Sequence, residues 1–260
     1  MNILDTIIAQ KRKEVATRKA AISLTQLEQE TYFARSCFSL TGFLADTSRT
    51  GIIAEFKRKS PSKGIINATA SVEEVTEAYA KHAAGISVLT DTDFFGGNTE
   101  DLHKARFNQV PILRKDFMID EYQVYEAKAM GADVILLIAA CLSPEEVSTL
   151  GACAKGLGME VLLEIHNAEE LNHINDMVDM VGVNNRNLKT FEVNIQTSLQ
   201  LIEHIPAGKP AIAESGISNV DTIVTLRNAG FSGFLIGENF MREPKPSVAF
   251  ADFVCQLKAN

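Results

Sequence analysis

From residue 51 the chain alternates short apolar runs with longer amphipathic stretches. Eight runs stand out: GIIAEF (51–56), ISVLT (86–90), VPILRK (110–115), ADVILLIAA (132–140), MEVLLEI (159–165), MVGVNN (180–185), KPAIAES (209–215) and SGFLIGE (232–238). They are rich in Ile, Val and Leu and short, which is how strands covered on both faces of a parallel sheet read. Between them, 71–82, 120–130, 143–156 and 219–228 carry helical periodicity. Ser143-Pro144-Glu145-Glu146 supplies an N-cap, a proline for the first helical position and acid for the first turn. Gly131 and Gly230 each follow a helical stretch and precede a strand, the place of a helix C-terminal glycine. Eight strand-then-helix units predict an α/β fold, a closed (β/α)8 TIM barrel. An open doubly wound sheet fits less well, because the loop after the first strand is KRKSPSKG, with no GxGxxG.

No Pro- or Gly-rich linker divides the chain, so one domain is expected over 1–260, with 1–48 as an N-terminal helical extension. There, Ile3, Leu4, Ile7 and Ile8 fall on one face of a helix over the first 20 residues, which predicts docking on the main body. The Lys and Arg residues opposite read as a solvated face, and a second helix is expected around 24–30.

With 260 residues, 46% apolar and 22% charged, the chain can bury a full core, and disorder, collagen and coiled coil are excluded as classes. The net charge of −8 argues against a nucleic-acid binder. The longest apolar run, 134–142, is far short of the roughly 18 residues of a membrane-spanning helix. Asp5 interrupts the first apolar stretch and the basic cluster follows it, so no secretory signal is expected. The four cysteines, Cys37, Cys141, Cys153 and Cys255, lie far apart with no CxxC, which predicts reduced, mostly buried thiols and no metal centre. These features predict a cytoplasmic protein.

In this fold, active sites lie at the C-terminal ends of the strands. Polar residues there include Glu55 and Lys57 after the first strand, and Arg114, Lys115 and Asp116 after the third. Glu164 belongs to the fifth, Asn184, Asn185 and Arg186 to the sixth, and Glu214 and Ser215 to the seventh. Charges beside a barrel core are costly to desolvate unless paired or used, and five strand ends sharing them predict a polar site on the rim. Ser60-Pro61-Ser62-Lys63-Gly64, Gly216, and Gly237 with Glu238 suit phosphate, which barrels often bind after strands seven and eight. Glycine there lets the backbone approach a ligand. Phe95 and Phe117 lie where they can form an apolar slot for a ring, or simply pack the loops. The five histidines read as structural or surface residues.

IAEFKRKSPSKG (53–64) closely resembles the first-strand motif of indole-3-glycerol phosphate synthases. ILRKDFMIDEYQVYEA (112–127), VLLEIHNAEEL (161–171), VGVNNRNLKTF (181–191) and IAESGIS (212–218) resemble that family's motifs in the same order, with SVLTDTDFFGG (87–97) and LIGENFM (235–241). The resemblance runs from about residue 2 to 257. It implies a barrel enzyme that closes the ring of 1-(2-carboxyphenylamino)-1-deoxyribulose 5-phosphate, releases carbon dioxide and loses water, without cofactor or metal. It implies Lys115 as general acid, its pKa lowered by nearby cations, and Glu164 in proton transfer at dehydration. Lys57 with Glu55 engages the substrate carboxylate and shares acid duties. Asn184, Glu214 and Ser215 complete the polar site, and Arg186 supports it by charge pairing. Ser60, Gly216, Gly237 and Glu238 hold the phosphate, Glu238 through its backbone N–H with the side chain turned away. Leu188, within the sixth-strand motif, joins Phe95 and Phe117 in binding substrate. A monomer with no obligate protein partner is expected. The related isomerase of phosphoribosylanthranilate would carry a Cys on the first strand, where this chain has Glu55 and Lys57. A catalytically silent barrel would have lost strand-end charges, and those that align are present.

Overall fold

The computed structural model describes residues 3–188 and 190–259. Three helices come first, α1 (Ile3–Ala21), α2 (Leu24–Leu27) and α3 (Leu40–Ala45), followed by β1 (Ile52–Phe56). A small antiparallel hairpin, β2 (Lys59–Ser60) and β3 (Gly64–Ile65), occupies the KRKSPSKG segment, where the sequence predicted only a loop. Then follow α4 (Val72–Ala80), β4 (Gly85–Leu89), α5 (Thr99–Ala105), β5 (Ile112–Lys115), α6 (Glu121–Met130), β6 (Val134–Ile138) and α7 (Pro144–Gly156). The chain continues with β7 (Glu160–Ile165), β8 (Met180–Asn184), α8 (Gln196–Leu201), β9 (Ala211–Glu214), α9 (Val220–Ala229), β10 (Gly233–Ile236), α10 (Glu238–Met241) and α11 (Pro246–Lys258). β1 and β4 to β10 pair in parallel and close into one barrel, as the eight runs predicted.

The signals at the helix ends act as expected. Ser143 forms a capping box with Glu146, and Gly131 and Gly230 end α6 and α9 in the left-handed conformation. Two expectations fail. The connection from β7 to β8 carries only a 3-10 helix, Ala168–His173, none of it buried, so no apolar stripe drives an α-helix there. The second helix stops at Leu27, because Glu28, Gln29 and Glu30 offer no apolar side chain to dock.

The strands separate two apolar layers. Ile53, Leu113, Leu136, Leu162, Met180, Ile212 and Leu235 fill the barrel interior, while Ile52, Ala54, Ile112, Ile135 and Val161 pack outward against the helices. Leu40 of α3 enters the interior cluster and plugs the N-terminal mouth. Glu160 holds that plug, accepting the backbone N–H of Leu40 (2.7 Å) and Thr41 (3.1 Å) at the start of α3.

Asp133 ties the same end together. Fully buried, it accepts from Arg35 and Arg106 (2.5 Å each) and from the backbone N–H of Phe38 (2.8 Å) and Ile112 (2.7 Å). Asp133→Ala leaves Arg106 buried without its charge partner. It is expected to lower the unfolding free energy by about 3–5 kcal/mol, read from urea denaturation. A loss below about 1 kcal/mol would show that the cluster relaxes around the gap.

The basic face of α1 departs from expectation at Lys11, which is 1% exposed. Its ammonium contacts Asp91 (2.7 Å), Asp116 (3.0 Å) and Glu14 (2.8 Å). Burial alone would lower its pKa, but these carboxylates raise it above the usual lysine range. All four cysteines are free thiols, but they are not mostly buried as expected: Cys37, Cys141 and Cys153 are half-buried and Cys255 is exposed. Among the described residues, no helix is long and apolar enough to cross a membrane.

Candidate active site

Side chains alternate between the two faces of a strand, so residues in step with the interior layer reach the C-terminal mouth on the same side. Two residues beyond Ile53, Leu113, Leu162 and Ile212 stand Glu55, Lys115, Glu164 and Glu214; four beyond Met180 stands Asn184. That parity brings them to one cavity of about 470 Å³, floored by Leu136, Ile138 and Leu235. Every residue that the sequence nominated for catalysis or substrate binding lines it. Lys57, Ser60, Phe95 and Phe117 come from the loops after β1, β4 and β5. Arg186 and Leu188 follow β8, Ser215 and Gly216 follow β9, and Gly237 and Glu238 follow β10. Arg114, also a strand-end charge, faces outward instead, where it is buried against Asp116 (3.1 Å) and Glu126 (3.4 Å).

The centre is an ammonium between two carboxylates. Lys115 Nζ donates to Glu164 Oε2 (2.7 Å) and Glu214 Oε2 (3.2 Å). Asn184 Nδ2 donates to the other oxygen of Glu164 (3.0 Å), while its Oδ1 accepts the Arg186 backbone N–H (3.0 Å). Lys57 Nζ lies 2.6 Å from Glu55. The expected lowering of the Lys115 pKa is reversed: burial would lower it, but Glu164, Glu214 and Glu55 surround it and carry it well above the lysine range. The neighbours are carboxylates, not cations. Glu164 stays well below the usual carboxylate range despite its burial, because Lys115 and His166 both favour its anion. Glu214 is pushed up to about 8 by burial and by the Glu164 anion, with Lys115 opposing. Two similar side chains thus shift in opposite directions, Glu164 toward its anion and Glu214 toward its protonated form.

The Phe95 and Phe117 rings pack on each other, with centroids 6.0 Å apart, and both line the cavity. Asp91 accepts the backbone N–H of Phe94 (2.8 Å) and Phe95 (3.2 Å), and Asp116 that of Phe117 (2.8 Å). These are the two carboxylates gathered by Lys11, so α1 helps set both aromatic loops, and its Ile3, Leu4 and Ile7 line the cavity mouth.

Gly237 and Gly216 are also packed closely against the protein itself. A Cβ on Gly237 would meet Glu55 Oε1 at 2.5 Å and Glu55 Cβ at 2.8 Å. On Gly216, in the left-handed region at φ +76°, it would strike Val193. Their missing side chains make room for the protein as well as a ligand. Ser215 also lies at positive φ (64°), a strained position for a non-glycine and one that recurs at functional sites. The Glu238 carboxylate lies 3.6 Å from the Arg186 guanidinium.

Sequence reading missed Lys11, His166 and Gly182. Gly182 sits within β8, and a Cβ there would collide with the Glu214 carboxylate, so its absence admits that group. A glycine inside an apolar strand was the available signal. Among the described residues, no three His, Cys, Asp or Glu side chains are arranged to hold a metal ion.

By structure, the fold is similar to a mutant tryptophan synthase alpha-subunit from Pyrococcus furiosus, with a TM-score of 0.63 at 16% identity, covering 82% of this chain and 99% of that one. A mandelate oxidase mutant matches with a TM-score of 0.60 at 14% identity, over 80% of this chain and 74% of that one. At such identities the likeness is of fold alone. By sequence, the chain is 49% identical over 255 residues to an indole-3-glycerol phosphate synthase of Bacteroides thetaiotaomicron, covering 97% of this chain and 98% of the relative. It is 46% identical over 257 residues to one from Laribacter hongkongensis, at 96% and 98% coverage. The family model for indole-3-glycerol phosphate synthase matches residues 4–253. The chain belongs to the indole-3-glycerol phosphate synthase family.

Proposed function

We propose that the cavity converts 1-(2-carboxyphenylamino)-1-deoxyribulose 5-phosphate to indole-3-glycerol phosphate, carbon dioxide and water. The observation that carries this reading is the Lys115 ammonium held between Glu164 and Glu214, in a cavity also lined by Phe95 and Phe117. The anthranilate ring lies against Phe95, Phe117 and Leu188, above the apolar floor. Lys57, oriented by Glu55, meets its carboxylate. The phosphate lies among Ser60, Gly216 and the backbone N–H groups of Gly237 and Glu238, with the Glu238 carboxylate drawn off by Arg186.

The ring carbon then attacks the ketone, and Lys115 gives a proton to the ketone oxygen as the bond forms. Carbon dioxide leaves and returns its bonding electrons to the ring, which regains aromaticity. The hydroxyl formed from the ketone departs as water. Glu164 handles the proton at that stage, with Asn184 fixing one of its oxygens. A lysine as firmly paired as Lys115 is a weak acid in the free protein. The proton on Glu214 removes one of its anionic partners and so favours donation. Ser215 completes the polar wall.

The protein acts on a small phosphorylated substrate as a monomer in the cytoplasm, with neither nucleic acid nor membrane as partner; the net charge of −8 supports the exclusion of nucleic acid. The direct test is to incubate purified protein with the anilino-ribulose phosphate and follow indole fluorescence in the presence of EDTA. Product is expected without added cofactor. Turnover that disappears with EDTA and returns with a divalent metal would refute the metal-free reaction.

A further inference from the structure

His166 follows the last residue of β7 and has no part in the steps above. Its ring is 10% exposed and lies between two carboxylates. Nδ1 is 3.3 Å from Glu170 Oε2, and Nε2 is 3.2 Å from Glu164 Oε1. The backbone N–H of His166 also donates to Glu170 (2.7 Å), and Asn167 Nδ2 holds the second oxygen of Glu170 (2.9 Å). Glu170 is thus a fixed anchor, and the ring it anchors faces the proton-transfer carboxylate. With an anionic oxygen before each nitrogen, the singly protonated ring would aim a lone pair at one of them, and the doubly protonated ring does not.

The surroundings agree. Glu164 comes from the same strand, Glu170 from the 3-10 turn that follows, and Lys115 of β5 lies across Glu164. After β6, the Cys141 thiol is pushed up to about 12 by burial and by Glu164, Glu146 and Glu170, with Arg12 opposing, so it stays neutral. Burial lowers the His166 pKa, but its two carboxylates outweigh that and raise it to about 9.

Glu164 therefore has two basic side chains beside it, Lys115 at 2.7 Å and His166 at 3.2 Å, of which Lys115 faces the cavity centre. When Lys115 gives its proton to substrate, it becomes a neutral amine and Glu164 loses that counterion while still buried. An uncompensated buried carboxylate would draw a proton from whatever is near, including the lysine itself. We propose that His166 is a positioning residue for this reaction, an imidazolium that keeps Glu164 ionised and aimed at the cavity while Lys115 is deprotonated. The proposal rests on the assignment of Lys115 and Glu164 to the proton transfers.

The test uses His166→Gln, which keeps a hydrogen-bond donor but loses the charge, beside Glu170→Gln, which leaves the ring in place and removes its outer anion. His166→Gln is expected to keep its fold by circular dichroism and a KM within about twofold of the parent. Its kcat at neutral pH should fall roughly tenfold, the scale of a modest loss of preorganisation. The acid limb of its kcat/KM profile should move to higher pH, because Glu164 has lost a stabilising cation. Glu170→Gln should show a weaker form of the same kcat loss. In nitrogen-15 histidine spectra of the parent, one imidazole of the five should stay doubly protonated beyond about pH 8 and disappear in His166→Gln. In Glu164→Gln that resonance should titrate at lower pH. This readout needs no turnover, so it reports the pairing even if the assigned reaction is wrong. An active parent with unchanged kcat and pH profile in His166→Gln overturns the role of His166 alone. A parent that forms no indole product overturns the reaction assignment beneath it.

Discussion

Lys115→Ala is expected to lower kcat by at least about 100-fold while leaving KM within a few-fold, the signature of a lost general acid. The reason lies in the position of the ammonium, 2.7 Å from Glu164 and 3.2 Å from Glu214, at the end of a strand whose preceding inward residue is core. Removing it does more than delete a donor. Glu164 loses its nearest cation, so its carboxyl moves toward the protonated form that burial favours. Lys115→Arg separates the two effects. It restores a positive charge, but a guanidinium hardly releases a proton, so kcat should stay low. If arginine restores most of the activity, the lysine acts as a fixed charge and the acid must be sought elsewhere. Near-normal kcat in Lys115→Ala would move that role to Lys57, which lies across the cavity against Glu55.

The barrel was legible because its signals are local and repeated. Ile-, Val- and Leu-rich runs, capping residues and glycines after helices each act within a few residues, and all point to the same architecture. The rim was legible for a related reason. A charged side chain in step with core residues has nowhere to point but the barrel mouth, so Glu55, Lys115, Glu164 and Glu214 declared themselves. Electrostatic character was not legible, because it depends on who stands opposite whom. The neighbours of Lys115 lie 49 and 99 residues away and are acidic side chains in place of the expected cations, which reversed the expected direction of its shift. Lys11 had the appearance of a solvated basic residue on an amphipathic helix; only the docked barrel brings Asp91 and Asp116 beneath it. His166 looked structural for the same reason, since Glu170, four residues on, is a visible helix-type partner and its contact with Glu164 depends on how β7 ends. Short connections lacking an apolar stripe, such as the 3-10 turn after β7, are fixed by tertiary contacts and leave no pattern to read.

Gly237→Ala is expected to lower kcat/KM on the order of 100-fold, although it adds a single methyl group. The backbone there has φ −129°, outside the left-handed region that favours glycine. The methyl instead enters the space of Glu55, within 2.5 Å of its Oε1 and 2.8 Å of its Cβ. Glu55 sits on the neighbouring barrel strand and cannot retreat into the packed interior, so its carboxylate must swing toward the cavity and carry Lys57 with it. A displacement of about 1 Å at a reacting group is enough for a loss of that size. The same position also presents a backbone N–H to the proposed phosphate. Inorganic phosphate as a competitive inhibitor tells the two effects apart: steric damage through Glu55 lowers kcat and leaves phosphate inhibition intact, whereas damage to the anion site weakens both. Gly216→Ala provides the contrast, because its φ of +76° and the contact with Val193 disturb the loop after β9 without touching Glu55. It should raise the inhibition constant for phosphate and the KM for substrate more than it lowers kcat. Unchanged kcat/KM in Gly237→Ala would mean that β1 and β10 part easily at the rim, and that Glu55 is not held as tightly as the packing indicates.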